Sequence, residues 1–566
     1  MIEIFFSLIF FILLVLISGA IASNYILKIN FNNLEVYEIG LLGIIFLVFL
    51  SFIVHLFLPL NEIYNSIIFL ITLLLFIFGI FKKINVSVKF DYKIIIISFL
   101  VVFVMTLKYK PYEDYGYYHL PYIINLVSDK IIFGLSNLQP QFGWNSSWLN
   151  FSSLFYLPLL KIKGTQLSNS ILFFFVIYLF FKEITSSKNR NKVSFIFILI
   201  LSCYVIIKFS RISGHGFDFP ANIFLLFAFY YFLKIFEEEN NLLIKKYFII
   251  IVCFSLFAIT IKLSAFAAPL IVISAFILLL IKNIDLNFLR LPIIFCVVFF
   301  LLWVFQQFIF TGCFVPYFEF TCIESLEWHT KGISKMISGL TGSFNKSYNV
   351  YTGDLSSEEY VQNFNWVSTW FNRNKVEFLE HFIALIVPFI IIFLINIKYL
   401  FFFRNNNFQQ IKLRKLYFTT LVLFSFIGLS IWFLKSPVIR FGIPYLFVFI
   451  FLFLILIINF FKINLQKGIY IVLILSLTFN VCKNLNRIEK NKTEKYWPNL
   501  LNFNYSTTIK NDFIINYPDS GQDFFQTKLC WSIPYICSVR RGNGLNFYKK
   551  FSYTFIKKET NVKLDD

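Results

Sequence analysis

The sequence predicts an all-α polytopic membrane protein with about 14 transmembrane helices, large external loops bearing amphipathic interfacial helices, and a small external C-terminal region. Three observations support this. The 566-residue chain is 58% hydrophobic, with a mean hydropathy of +0.75. Only 14% of it is charged, against about 25% in soluble domains. Apolar runs of about 18 residues or more, long enough to cross a hydrocarbon core, recur along it.

The spans read near 4–22, 38–59, 63–81, 93–107, 166–181, 193–208, 220–236, 247–262, 264–281, 291–310, 378–398, 417–434, 443–461 and 468–483. The first run, 4–17, lacks a basic flank, so it reads as a span rather than a cleavable signal. The stretch 247–281 around Lys262 also fits a re-entrant pair. Basic loops orient the bundle. Lys82, Lys83, Lys89 and Lys93 share one loop, and Lys182, Lys188, Arg190 and Lys192 a second. Lys398, Arg404, Lys412, Arg414 and Lys415 share a third. All three loops fall on one side, which the positive-inside rule makes cytoplasmic. The net charge of +20 is thus a topology signal, not a nucleic-acid footprint.

The chain divides accordingly. Residues 1–107 are N-terminal transmembrane helices, and 108–165 a first large external loop. Residues 166–310 form a transmembrane core, 311–377 a second large external loop, and 378–483 C-terminal transmembrane helices. Residues 484–566 form the external C-terminal region. Both termini face outside, with 209–219 and 435–442. In 145–160, Asn145 can cap a helix, and Trp148, Phe151, Phe155 and Leu159 recur at helical spacing. In 358–378, Val361, Phe364, Val367 and Phe371 form a stripe. Both segments predict helices lying along a bilayer surface. Turn signals at 516–520 and 541–544 mark the C-terminal region.

Chemistry concentrates in the loop 108–163, which contains EDYGYYHLPY and QPQFGWNSSWLNFS. A loop this long exceeds what joining two helices needs. Glu113 and Asp114 read either as a solvated helix end or as carboxylates at headgroup level. Sugar transfer from a lipid phosphate needs a base for the acceptor hydroxyl and cations for the phosphate, but no strong acid. Asp218, in RISGHGFDFP, is either a helix cap or a second carboxylate that orients the acceptor or shares a metal with Asp114. The glycines and Pro220 hold it and His215 near the surface.

Lys435 and Arg440, in FLKSPVIRFGIPYLF, oppose the positive-inside trend. They bind phosphate or snorkel at the rim. Lys262, in TIKLSAF, is either a buried charge with a partner or a turn residue. His119 draws interest from its position five residues beyond Asp114.

Cys203, Cys253, Cys296 and Cys482 lie in apolar spans as packing residues. Cys313 and Cys322 share one non-membrane segment, Cys530 and Cys537 another. Outside the membrane each pair is a candidate disulfide. No Cys/His pattern suggests zinc. Pro316, Glu324, Glu327 and nearby aromatics could close over a sugar.

This arrangement resembles the GT-C superfamily of integral membrane glycosyltransferases. That superfamily includes protein O-mannosyltransferases, bacterial aminoarabinose transferases and oligosaccharyltransferase catalytic subunits. Glu113 and Asp114 match its acidic motif in the first large external loop, although three further spans precede that loop here. Asp218 matches its second acidic position. More closely, YYHLPYI, FGWNSSW, TIKLS, GCFVPY, SPVIRFG and CWSIPYIC look like a bacterial family of uncharacterised membrane proteins.

The resemblance implies transfer of a sugar from a polyprenyl-phosphate-type donor to an acceptor hydroxyl on the external face of a bacterial inner (plasma) membrane. Asp114 would be the base and Asp218 an orienting or metal-binding group, with Glu113 their neighbour. Lys262, Lys435, Arg440 and His119 would bind substrate. No cofactor is assigned, and a divalent cation stays open. Partners are membrane lipids and the polyprenyl-linked donor, with no nucleic acid. Oligomeric state stays open. An O-antigen-type polymerase or ligase, using Arg373 and His329, is an alternative. A lipid or polysaccharide transporter would show repeats and midplane charges, whereas polarity here gathers in loops.

Overall fold

The computed structural model describes residues 2–29, 33–81, 91–107, 112–186, 192–209, 212–402, 415–461, 469–490, 503–519, 528–539 and 544–558. Every apolar segment read as a span is helical along most of its length. A helix is how such a run survives in lipid, since its backbone groups are all paired internally.

The helices in chain order are α1 (Ile2–Ile21), α2 (Val36–Phe57), α3 (Glu62–Phe81) and α4 (Tyr92–Thr106). The first loop holds α5 (Leu120–Ser128), α6 (Leu135–Leu138), α7 (Ser147–Ser153) and α8 (Ile162–Thr165). Then come α9 (Ser168–Thr185), α10 (Val193–Lys208), α11 (Asp218–Glu237), α12 (Asn241–Ile261), α13 (Ala268–Ile281) and α14 (Arg290–Thr311). The second loop holds α15 (Ile333–Asn345) and α16 (Ser357–Val361). Last are α17 (Val367–Phe402), α18 (Lys415–Lys435), α19 (Ile439–Phe461) and α20 (Ile469–Lys490).

Among the described residues, 10 helical segments are long and apolar enough to cross a membrane. The chain is an integral membrane protein. The sequence anticipated about 14 crossings; α4 and α10 are apolar but span only 15 and 16 residues. The basic loops that oriented the bundle lie largely outside the described residues.

Helix α11 is the axis of the bundle, buried along nearly its whole length and packed by α10, α12, α13 and α19. Apolar faces of α3, α13, α14 and α18 point outward, as lipid-facing helices do. Helices α1 and α2 cross at Gly19 and Gly43, where a Cβ would collide with the carbonyls of Ile39 and Val15. Toward one end, buried charges are paired. Lys246 reaches both oxygens of Glu38 at 2.9 Å, and Lys234 reaches Glu183 at 2.7 Å. Pairing of this kind is what makes buried charge tolerable.

The first loop folds inward. Helix α7 is seven residues long and wholly buried, so it is not the interfacial helix that 145–160 predicted. Its serines explain this: Ser147 pairs with Thr260, and Ser152 donates to Ser168. Both faces therefore meet other helices. Asn145 does not cap; it accepts from Tyr122 and donates to the Trp303 carbonyl. Only Leu159 of the predicted stripe is exposed.

The segment 358–378 is also not one helix. Asn363 and Phe364 take positive φ and break it. Tyr360, Trp366 and Trp370, rather than the predicted stripe, face inward, while Phe364 and Phe371 face outward. From Val367 the chain runs unbroken into α17, so loop and apolar segment share one helix.

The C-terminal region corrects the all-α expectation. It carries two antiparallel hairpins, β1 (Tyr505–Lys510) with β2 (Phe513–Pro518), and β3 (Leu545–Lys550) with β4 (Tyr553–Lys558). Their turns are Asn511–Asp512 and Phe551–Ser552, all with positive φ. The anticipated turn at 516–520 falls on β2 as far as Pro518; most of 541–544 lies outside the described residues. The β3–β4 hairpin docks on the first loop. Phe133 exchanges backbone hydrogen bonds with Thr554 and Ile556 at 2.9 Å. Asp129 accepts from Thr554 at 2.7 Å and Tyr535 at 3.1 Å.

Candidate functional site

Four charged side chains from four places in the chain meet at one end of the bundle. Asp114 precedes a π-helical turn, Tyr115–His119. Asp218 is the first residue of α11. Lys262 stands in extended backbone between α12 and α13. Arg440 lies in the first turn of α19. The stretch 247–281 is broken at Lys262 into two helices.

Neighbouring contacts fix these positions. The 212–217 segment is held by α9 and by Gln166, two residues ahead of it. Asn169 donates to the carbonyls of Gly214 and Gly216 at 3.2 and 3.0 Å, and Gly214 donates its N–H to Gln166. Gly214 has φ +131°, open to glycine and rare for other residues. Asn222 donates to the Arg440 carbonyl at 2.9 Å, tying α19 to α11. Tyr445 donates to the Ser264 carbonyl, tying α19 to the Lys262 break.

Asp218 does not cap its helix. One of its oxygens takes Lys262, and the other takes Arg440 Nε at 2.6 Å. Asp114 is held more loosely, with Arg440 Nη2 at 3.6 Å, beyond hydrogen-bonding distance. The cluster is partly open. Asp114 and Arg440 side chains are 42% and 50% exposed, Asp218 and Lys262 26% and 19%. Lys262 rests on the Phe441 ring at 3.4 Å, with Phe217 behind it at 5.2 Å.

Burial raises the Asp114 carboxyl above its ordinary range; nearby Asp218 adds to this, and Arg440 and Lys262 oppose it. Burial likewise brings the Lys262 ammonium down to about 8 despite its Asp218 partner. A raised carboxylate is a stronger base, and a lowered lysine titrates close to physiological pH.

The other anticipated residues divide. His119 is buried beside the cluster. Its Nδ1 meets Tyr112 OH at 3.1 Å, and its Nε2 has no hydrogen-bond partner among the described residues. Burial first, then His215, holds it well below the usual histidine range, so it is neutral. His215 is buried rather than near the surface. Its ring stacks on Tyr115 at 5.1 Å, and Nε2 meets Thr165 at 2.8 Å.

Glu113 is exposed and forms no ion pair among the described residues. Lys435 ends α18 and is exposed; its charge acts on Lys346, lowering that lysine after burial does. The disulfide pairs Cys313–Cys322 and Cys530–Cys537 are both formed. Arg373 bonds Asn349, and His329 Nδ1 meets the Thr311 carbonyl, well separated in the chain from the cluster.

Sequence reasoning missed Gly116 and Trp531. Trp531 donates its N–H to the Gly116 carbonyl at 2.9 Å, and its ring covers Gly116 so closely that a Cβ would collide with it. The C-terminal disulfide loop therefore braces the turn that follows Asp114. The signal was the glycine in DYGYYH.

The two carboxylates of this cluster are engaged by a cation of the protein itself. Asp114 and Asp218 both face Arg440, and among the described residues no group of three or more His, Cys, Asp or Glu could hold a metal.

A family model described as a domain of unknown function (DUF8201) matches residues 1–447. The chain belongs to that family. The match takes in all four residues of the cluster and stops before the C-terminal hairpins. No curated protein and no solved structure matches the chain.

Proposed function

We propose that this DUF8201 protein is a GT-C-type membrane glycosyltransferase. It moves a sugar from a polyprenyl-phosphate-type donor to an acceptor hydroxyl at the external membrane face. The observation that carries this reading is the convergence of Asp114, loosely held and partly exposed, with the cations Lys262 and Arg440.

In the transfer, Asp114 takes the acceptor's hydroxyl proton. The acceptor oxygen bonds to the sugar's anomeric carbon, and that carbon's bond to the phosphate oxygen breaks. The leaving phosphate keeps the electron pair, and Lys262 and Arg440 stabilise its charge. Both disulfides support an oxidising, external side. Cys313 follows the end of α14 on the same end of the bundle as the cluster, since α11 and α19 begin there and α12 ends there.

The test compares cell-surface glycans by mass spectrometry in cells with the gene, without it, and carrying Asp114→Asn. Loss of a general base costs about 10²–10⁴-fold in rate. The variant should therefore reach the membrane in normal amount yet leave the glycans as in the deletion. Full restoration by Asp114→Asn sinks the assignment.

A further inference from the structure

We infer that Asp218 is a resident anion, bridging Lys262 and Arg440 in the position that the donor's phosphate takes when it binds. This rests on the reading of the donor as a lipid phosphate and adds how that phosphate gains entry.

The geometry distinguishes the two carboxylates. Asp218 gives one oxygen to each cation: Oδ1 to Lys262 and Oδ2 to Arg440 Nε at 2.6 Å. A phosphate ester offers the same arrangement, two anionic oxygens on one centre, each able to take a different cation. Asp114 touches only the far edge of Arg440, at 3.6 Å. It is not in the bridge, so it need not move when phosphate arrives.

Charge points the same way. With Asp114, Asp218, Lys262 and Arg440 ionised, the cluster is neutral, and a neutral cluster has little pull on an anion. Release of Asp218 frees two cations at once. Those cations have other supports: Lys262 lies on the Phe441 ring at 3.4 Å, and Asn222 holds the Arg440 backbone at 2.9 Å. They stay in position for the incoming phosphate. Asp218, at the start of α11 and partly exposed, is the member that can turn away.

The consequence is counter-intuitive for an acidic residue beside a reaction centre: removing its charge strengthens phosphate binding. The experiment measures binding of geranyl phosphate, with geraniol as control, to full-length protein in nanodiscs. Wild type, Asp218→Asn and Asp114→Asn are compared, together with thermal stability with and without the ligand. Asp218→Asn should bind geranyl phosphate about tenfold tighter or more than wild type, with a smaller gain for Asp114→Asn. Its thermal midpoint should fall without ligand and recover further than wild type's with it. Asp218→Ser serves if the asparagine variant does not fold.

If wild type binds geranyl phosphate and Asp218→Asn binds it equally or more weakly, the resident-anion role is overturned and the phosphate site stands. A thermal loss with no gain in affinity overturns that role too, marking Asp218 as a structural clamp. If neither protein prefers geranyl phosphate to geraniol, both the resident anion and the phosphate reading fall.

Discussion

Raising the pH should empty the proposed phosphate site without unfolding the protein. Lys262 titrates at about 8, against 10.5 for an ordinary lysine, because burial outweighs the help of Asp218 and Asp114. One pH unit above that value only about a tenth of the molecules keep the ammonium. A phosphate monoester is fully ionised well below this range, so the ligand does not change. The geranyl phosphate Kd should therefore rise about tenfold per pH unit above pH ~8.

Stability should move the other way. Between about pH 8 and 10.5 the folded state holds fewer protons at Lys262 than the unfolded state, so this group adds stability as pH rises. The slope is at most about 1.4 kcal/mol per pH unit. Binding titrations from pH 7 to 10, with thermal midpoints in parallel, read both. Lys262→Arg keeps its charge throughout and should flatten the binding profile. An equal alkaline loss in Lys262→Arg, or a thermal midpoint that falls together with affinity, would refute the reasoning.

Two packing predictions test how the site is braced. Gly116→Ala should cost about 1–3 kcal/mol by forcing the Trp531 ring off the turn. Limited proteolysis should then cut the C-terminal region faster, and adding Trp531→Ala should cost less than the two single changes summed. Gly19→Leu should cost about 3 kcal/mol or more, because its Cβ meets the Ile39 carbonyl, which is backbone and cannot rotate aside. Gly339→Ala, with nothing within 4 Å of its Cβ, is the thermal-stability control and should shift the midpoint little.

The helices were legible because lipid solvation imposes one rule on every apolar run, and that rule is local. The loop helices were misread for a related reason. An aromatic stripe such as Trp148, Phe151 and Phe155 says which side is apolar, but not whether the serines opposite face water or another helix. Ser147 and Ser152 find partners on α12 and α9, which only the assembled fold brings near. The hairpins escaped because their turns use Asn511–Asp512 and Phe551–Ser552, without the glycine that usually marks such turns.

At the cluster, Asp114, Asp218, Lys262 and Arg440 were each visible as odd charges. Their pairing was not, because it spans separate helices. Lys435 looked equivalent to Arg440 in sequence, yet Lys435 ends α18 and acts on Lys346, whereas Arg440 lies in the first turn of α19 and pairs with Asp218.

The docking of β4 on Phe133 has a consequence for synthesis. Phe133 of the first loop leaves the ribosome about 420 residues before the middle of its cover, Tyr553–Lys558. At about 5–20 residues per second, the loop waits on the order of tens of seconds for that strand. During that interval the Phe133 backbone and the Asp129 carboxylate lack their eventual partners. Strand β4 thus latches the loop only after every described helix has been made. A chain released before Tyr553 holds every described helix and the whole charged cluster, yet leaves this loop unlatched for quality-control proteases to find.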